Sequence, residues 1–559
     1  MVLFPFRYVW WLIGSLRARL GRPPDYITFL IEEDMPVLPD PPIPQWQRFF
    51  RRQRLSVREL GRRFEAIEKD SRIKGVVLHL RPVPMSLAVL QDMRELVTRL
   101  RKAGKRVIAW APFYTTGTYY LACACDEILL LPTGIVQPLG LSSTGMFLAQ
   151  GLARVGIQAD FVQVSPYKTA ADMLTRSKMS DEMREQIRWL LKSQRDQLVK
   201  AIQDGRKLEP DAATQVVDGS PYTDDQAVAH KVVDAVASEE QLPQRLSSGA
   251  EVRIGDWDQA RKKMSRPAPR LRLRSYVAII RIEGTIIDGR SGRPPVAPPV
   301  EVPIVGDPRA GDLTVVQVAR QVAADRRAAA AVVYIDSRGG SATASEAMRQ
   351  ALAVVAAKKP LVIAMGPVAG SGGYWVATPG RWIVARPGTL TGSIGVLTGK
   401  LVTAGLWAKL LVNRETVAEG RRAVMEGDEK PYTAEERQIV QAMIDRTYGV
   451  FLDVVASSRG VPRTDVEPVA GGKVWTGAQA LERKLVDELG GLDAALAKAR
   501  SLAGLPETTP AFEVHPPKRA LAPQTVPTAA GLVGYLFEGL SIFNRTPVHA
   551  LMEVLRTNT

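Results

Sequence analysis

A duplicated α/β fold, with buried and mostly parallel strands layered against helices, is what this sequence predicts, and three observations carry the prediction. The first is an internal repeat at a constant offset of 255 residues, which relates Val332 to Val77, Ile363 to Ile108, Tyr374 to Tyr119, Ala377 to Ala122, Pro387 to Pro132 and Gly395 to Gly140. Chance does not keep register over some sixty positions. The second is the alternation of short apolar runs with helical patterns, the signature of strands buried on both faces. The third is length: 559 residues exceed what one core usually supports and fit two domains of roughly 200 to 250 residues plus tails.

The elements follow in order. Residues 26–30 and 276–280 read as the opening strands of the two copies, and residues 76–80 and 331–335 as the next pair. A helix follows each, then strands at 106–110 and 361–365, a turn and a further helix. The expected domains are an N-terminal repeat over 26–262, a basic linker over 263–275 and a C-terminal repeat over 276–508. The linker is placed by a Pro-containing basic stretch, 262–270, with no apolar period. A second Pro-rich stretch, 293–299, reads as a surface loop, and 509–559 as a Pro-containing tail with an apolar helix.

At 46% hydrophobic and 24% charged residues, the composition is that of a globular protein. The net charge of +16 raises nucleic acid as a partner, but the basic residues are spread along helices without interleaved aromatic platforms, which argues against it. Arg17, Arg19 and Arg22 follow the apolar stretch 9–14, a pattern that fits attraction to anionic lipid. Residues 1–25 therefore form a membrane-association segment in this reading. Pro5 and Arg7 interrupt the apolar run 2–16, which falls short of the ~20 residues of a spanning helix, and no Ala-x-Ala cleavage site follows. Trp10 and Trp11 favour an interfacial helix or short anchor over an arm packed on its own protein. The apolar stretch 531–543, split by Glu538, fits either a subunit contact or lipid. Cys123 and Cys125 are too few for a Cys-type metal site and read as small core fillers.

The chemistry concentrates at Gly370-Ser371-Gly372-Gly373-Tyr374-Trp375, whose counterpart Thr116-Gly117-Thr118-Tyr119-Tyr120 lacks the serine. Glycines around Ser371, just after a buried strand, allow a sharp strand-to-helix turn that presents the hydroxyl and frees the Gly372 amide. Such a turn is also what a simple helix N-cap looks like. A second element sharpens the choice: Gly339 and Gly340, in Asp336-Ser337-Arg338-Gly339-Gly340-Ser341, can offer N–H groups to an oxyanion. The first copy has Pro84 and Met85 there, and proline has no N–H. A serine nucleophile needs a base, and none of His79, His230, His515 and His549 falls near Ser371 in sequence. A lysine serves if burial depresses its pKa. Lys168, among apolar and hydroxyl residues, fits that role or that of a snorkelling surface lysine. No Gly-x-x-x-x-Gly-Lys-Ser/Thr loop occurs, since 395–401 fails the spacing, so neither ATP nor another cofactor nor a metal is expected.

The run from Ser337 to Glu346, the Ser371-to-Trp375 elbow, Leu390-Thr391-Gly392-Ser393-Ile394-Gly395 and the Tyr167-Lys168 motif followed by Met179-Ser180 closely resemble the signal peptide peptidase A (protease IV) family in its long two-repeat form. The resemblance spans most of residues 26 to 505. It implies a crotonase/Clp-protease-like superhelical domain in each repeat, with Ser371 as nucleophile and Lys168 as general base. It also implies an oxyanion hole from Gly372 with Gly339 or Gly340. Ser393 is then either a hydroxyl that orients the lysine or a turn residue. A membrane-bound, bowl-shaped homotetramer at a bacterial cell membrane, catalytic domains extracytoplasmic, hydrolysing released signal peptides, is what the family implies. Arg338 stands where the family usually has proline, and family members usually carry a clearer transmembrane segment than 2–16. Where the second half would need its own lysine, 419–423 offers arginine, which cannot act as a base, so neither half is expected to cleave alone. Two competing readings are a crotonase-like acyl-thioester enzyme, which has no use for Ser371, and a non-catalytic membrane scaffold.

Overall fold

Two mostly parallel sheets share one strand order in the computed structural model, which describes residues 8, 10–12, 21–41, 53–247, 249, 251–264, 275–293, 308–516, 549–551 and 557–558. Among the described residues the first sheet has seven strands, running Tyr222–Thr223, Glu127–Gln137, Arg106–Thr115, Gly75–Leu80, Tyr26–Ile31, Ile254–Asp256, with Ala235–Val236 also on Glu127–Gln137. The second runs Val474–Thr476, Leu390–Gly392, Leu361–Gly370, Ala328–Ser337, Tyr276–Glu283, Ala511–Glu513, with Trp382–Ala385 also beside Leu361–Gly370. The central strands are continuous runs of Val, Ile, Leu and Ala because helices cover both faces. Every residue of Gly75–Leu80 is buried.

Helices start where the sequence supplies an oxygen for their orphan amides. Ser56 caps Val57–Lys69, Ser86 caps Leu87–Lys102 and Ser341 caps Ala342–Lys358. Thr433 and Glu436 form a capping box at the head of Ala434–Arg459, and Gly460, at φ +63°, ends it. That helix buries Val440, Ile444, Phe451, Leu452 and Val455, the 3–4 spacing of one apolar face.

The repeats share buried polar fixings as well as strands. In the first, Tyr119 donates to the Val232 carbonyl at 2.8 Å, and Asp234 accepts from Arg206 and from the Ile128 amide. In the second, Tyr374 donates to the Leu485 carbonyl at 2.7 Å, and Asp487 accepts from Arg459 and from the Ile383 amide.

The compact units do not coincide with the linear halves. One holds Met1–Ser142, Lys192–Leu273 and Thr557–Thr559; the other holds Ser143–Leu191 and Arg274–Arg556. Residues 143–191, within the N-terminal repeat expected over 26–262, fall in the second compact unit. The cause is strand pairing: Gln158–Gln163 runs antiparallel to Leu397–Val402 in full register. Asp160 adds an ion pair with Arg437 and accepts the Tyr432 amide at 2.7 Å. Just beyond the expected end of the second repeat at 508, Ala511–Glu513 pairs in parallel with Tyr276–Glu283 and adds a strand to its sheet.

This second unit contains a further sheet, ordered Arg309–Gly311, Thr285–Ile287, Gly339–Ser341, His549–Leu551, Leu397–Val402, Gln158–Gln163. Cys123 and Cys125 are buried and unpaired, and burial pushes the Cys123 thiol up to about 11, as suits core fillers. Of the N-terminal apolar stretch only Tyr8 and residues 10–12 are described, and residues 531–543 and 294–299 lie outside the described residues. Among the described residues, no helix is long and apolar enough to cross a membrane.

Candidate active site

The buried strand Leu361–Gly370 ends directly at Ser371, which precedes the helix Gly372–Ala377 with φ 55° and ψ −117°. A positive φ at a residue with a Cβ costs on the order of 1–3 kcal/mol and persists only where the surroundings enforce it. Here the Ser371 amide donates to the Gly392 carbonyl at 2.8 Å, and the Trp375 amide to the Ser371 carbonyl at 2.9 Å. Trp375 stacks on Phe451 with ring centroids 4.3 Å apart, and its indole N–H donates to Glu346 at 2.9 Å. Gly373 has to be glycine, because a Cβ there would lie 2.6 Å from the Ser337 carbonyl oxygen. The elbow helix therefore rests on the end of the neighbouring strand.

The first repeat keeps a hydroxyl at this position without the strain. Thr116 Oγ1 lies 3.2 Å from the Gly140 carbonyl oxygen, as Ser371 Oγ lies 3.3 Å from the Gly395 carbonyl oxygen. Its helix begins conventionally, with Thr115 as N-cap at φ −82° in a capping box with Thr118. The first copy thus has a capped helix where the second has an elbow.

Lys168 follows the strand Gln158–Gln163 and enters the short turn Thr169–Ala171. It is 1% exposed and Ser371 0%. The Lys168 Nζ lies 2.7 Å from Ser371 Oγ, 2.9 Å from the Ser393 carbonyl oxygen and 3.0 Å from Ser393 Oγ. Burial alone pushes its pKa well below the ordinary lysine value, with no charged neighbour contributing. An uncharged amine has two N–H bonds and one lone pair. With the two bonds directed at Ser393, the lone pair is left for the Ser371 hydroxyl. Ser393, at φ 50° and with its amide on the Lys473 carbonyl at 2.7 Å, is thus an acceptor for the lysine as well as a turn residue.

The glycine pair forms the strand Gly339–Ser341, with φ 96° at Gly339 and 153° at Gly340. At Gly340 a Cβ would lie 2.0 Å from the Ile286 carbonyl oxygen, so nothing larger fits. The Gly339 amide already donates to Ser337 Oγ at 3.1 Å, and Ser337 in turn donates to the Gly284 carbonyl. Gly372, as first residue of its helix, has an N–H that the helix cannot use. His79 is buried edge-on to Trp110, His230 caps the helix Asp224–Ala229, and His515 lies by Glu513. His549, expected in a remote tail, has its backbone paired with Ser341 and Leu397. Sequence reasoning assigned no role to Gly392 and Gly395, although both lie in the quoted Leu390–Gly395 motif, and did not single out Gly472; backbone groups of all three surround the serine and lysine.

The profile of peptidase family S49 matches residues 99–253 and 353–506, together more than half of the chain. The chloroplastic serine protease SPPA of Arabidopsis thaliana is 30% identical over 464 residues, covering 81% of this chain and 66% of that protein. Protease 4 of Salmonella typhi is 32% identical over 455 residues, 78% of this chain and 70% of the relative. Protease 4 of Haemophilus influenzae is 28% identical over 451 residues, 78% and 71% respectively. The chain thus spans about two thirds of the length of these relatives. A solved structure, a point mutant of ClpP1 from Listeria monocytogenes, overlaps 39% of this chain and 94% of its own at 12% identity, but with a TM-score of 0.25 that bears no weight. Fold and family together define a serine peptidase of mixed α/β architecture. The chain belongs to peptidase family S49, in the two-repeat signal peptide peptidase A form.

Proposed function

We propose that this chain is a membrane-associated serine endopeptidase that hydrolyses released signal peptides and other apolar peptides through a Ser371–Lys168 dyad, each repeat being a crotonase/Clp-protease-like domain. The carrying observation is the dry 2.7 Å approach of the Lys168 amine to the Ser371 hydroxyl. In this reading Ser371 Oγ attacks the scissile carbonyl carbon while its proton passes to Lys168 Nζ. The oxyanion is held by the amide of Gly372 and that of Gly340, since the Gly339 amide is occupied by Ser337. The lysine ammonium then protonates the leaving amine as the C–N bond breaks. Water then attacks the acyl ester carbon and gives a proton to the same amine; the bond from that carbon to Ser371 Oγ breaks, the ammonium returns the proton to Oγ, and the peptide acid leaves.

An apolar substrate suits this chemistry because a groove that admits bulk water raises the lysine pKa back toward its free value. Among the described residues, the pairing of His549–Leu551 with Gly339–Ser341 on one side and Leu397 on the other supports binding of an extended peptide by strand addition. The working form in this proposal is a homotetramer at a bacterial cell membrane, catalytic domains extracytoplasmic. The test is direct: purified Ser371→Ala and Lys168→Ala should each lose all but trace hydrolysis of an apolar peptide while keeping wild-type native mass. Substantial hydrolysis by either variant rejects the dyad.

A further inference from the structure

One loop packs against the main-chain end of Lys168 and reaches its amine end through Ser393. Gly472 has φ +88°, and a Cβ on it would lie 2.7 Å from Lys168 Cα and 2.8 Å from Lys168 Cβ and N. These are main-chain and stem atoms that cannot swing aside. The Gly472 amide donates to the Ile394 carbonyl at 2.8 Å, and the carbonyl of the next residue, Lys473, accepts the Ser393 amide at 2.7 Å. Ser393 is the residue that receives the lysine amine.

The loop is itself anchored. The Val474 amide donates to Gln186 Oε1 at 2.8 Å, and the Val474 carbonyl accepts from the Trp189 indole at 2.9 Å. Gln186 is 3% exposed. Trp189 stacks on Trp475 at 5.0 Å, and the Gly471 amide donates to the Tyr448 hydroxyl at 3.0 Å.

We propose that loop 470–474 is the positioning element of the general base: Gly472 sets the Lys168 main chain, Lys473 sets Ser393 through its carbonyl, and Gln186 holds the loop in register. This rests on the dyad reading above. The loop and the lysine meet with no slack, and displacement of a reacting group by about 1 Å costs on the order of 100-fold in rate. Nearby charges have other partners: Asp172 takes Ser180 and Arg176, and the Lys473 ammonium lies over the Tyr167 ring and donates to the Pro468 carbonyl. The amine therefore depends on geometry and dryness, both set by the loop.

The test compares two glycines at positive φ in the full chain. Gly472→Ala should lower kcat by on the order of 30-fold with KM little changed, and should move the rising limb of the pH profile upward as the displaced amine regains water. Gly460→Ala, at φ +63° with nothing within 4 Å of its Cβ, imposes similar backbone strain and should leave kcat and the limb at wild-type values. Gln186→Met should lower kcat and move the limb in the same direction, and Gln186→Glu, which keeps an acceptor for the Val474 amide, should restore much of both. A Gly472→Ala enzyme with wild-type kcat and limb overturns the inference, as does Gly460→Ala shifting the limb equally. If Gly472→Ala does not fold, a Gln186→Met enzyme with unchanged kcat and limb overturns it. Retained hydrolysis in Lys168→Ala defeats the dyad reading, whereas an inactive Lys168→Ala beside a normal Gly472→Ala defeats the loop inference alone.

Discussion

Lys168 is the residue where burial, charge and chemistry meet. Its folded pKa lies well below the unfolded value because burial penalises the ammonium. The unfolded chain therefore binds the proton more tightly, and stability rises with pH up to the free-lysine pKa of about 10.4, above which the penalty vanishes. Lys168→Met, which keeps the stem and removes the amine, should thus raise the thermal midpoint at neutral pH, with the gain shrinking toward pH 10. A Met variant no more stable than wild type at neutral pH would mean that the amine keeps its proton in the folded chain or reaches water. Ser371 was legible in sequence because its glycines and its position after an apolar strand are local features. Lys168 was not legible by itself, since a lysine flanked by Ser165, Tyr167 and Thr169 looks the same whether it snorkels or is sealed. Motif resemblance picked it out, and the coordinates put it 2.7 Å from the hydroxyl.

At the scale of elements, the proposed site is built from short glycine-bearing segments held by longer regular ones. Gly340 sits so close to the Ile286 carbonyl that Gly340→Ala must displace the strand Gly339–Ser341. Loss of one oxyanion donor costs about 100- to 1,000-fold in kcat, and that is the fall expected in steady-state kinetics. A loss of less than about fivefold would remove Gly340 from the hole. The long strands were readable: 361–365 is the front of Leu361–Gly370, and 331–335 lies within Ala328–Ser337. Strands of two or three residues, such as Tyr222–Thr223, Val474–Thr476 and Ala511–Glu513, were not, because so few residues show no period. Their existence is a tertiary decision made by neighbouring edges.

For the whole molecule, duplication conserved support and, in the proposed mechanism, divided the chemistry. The Arg206–Asp234 and Arg459–Asp487 fixings recur with the strand order, while the elbow strain occurs only at Ser371. The Arg459–Asp487 pair is the more enclosed, at 10% and 19% side-chain exposure against 11% and 34% for Arg206–Asp234. Asp487→Ala should therefore destabilise by on the order of 3 kcal/mol, more than Asp234→Ala, as read by denaturant midpoints. Equal midpoints would contradict that ranking. The division of the chain into units was hidden from sequence because the pairing of Gln158–Gln163 with Leu397–Val402 joins segments far apart in the chain. That same pairing leads Lys168 into the unit that holds Ser371. The most direct measurement is the rate of covalent labelling of Ser371 by a fluorophosphonate as a function of pH, in wild type and Lys168→Met. The wild-type rate should rise through a pKa well below that of free lysine, and the variant should label slowly without that rise. A flat wild-type profile, or the same rise in Lys168→Met, would contradict the dyad.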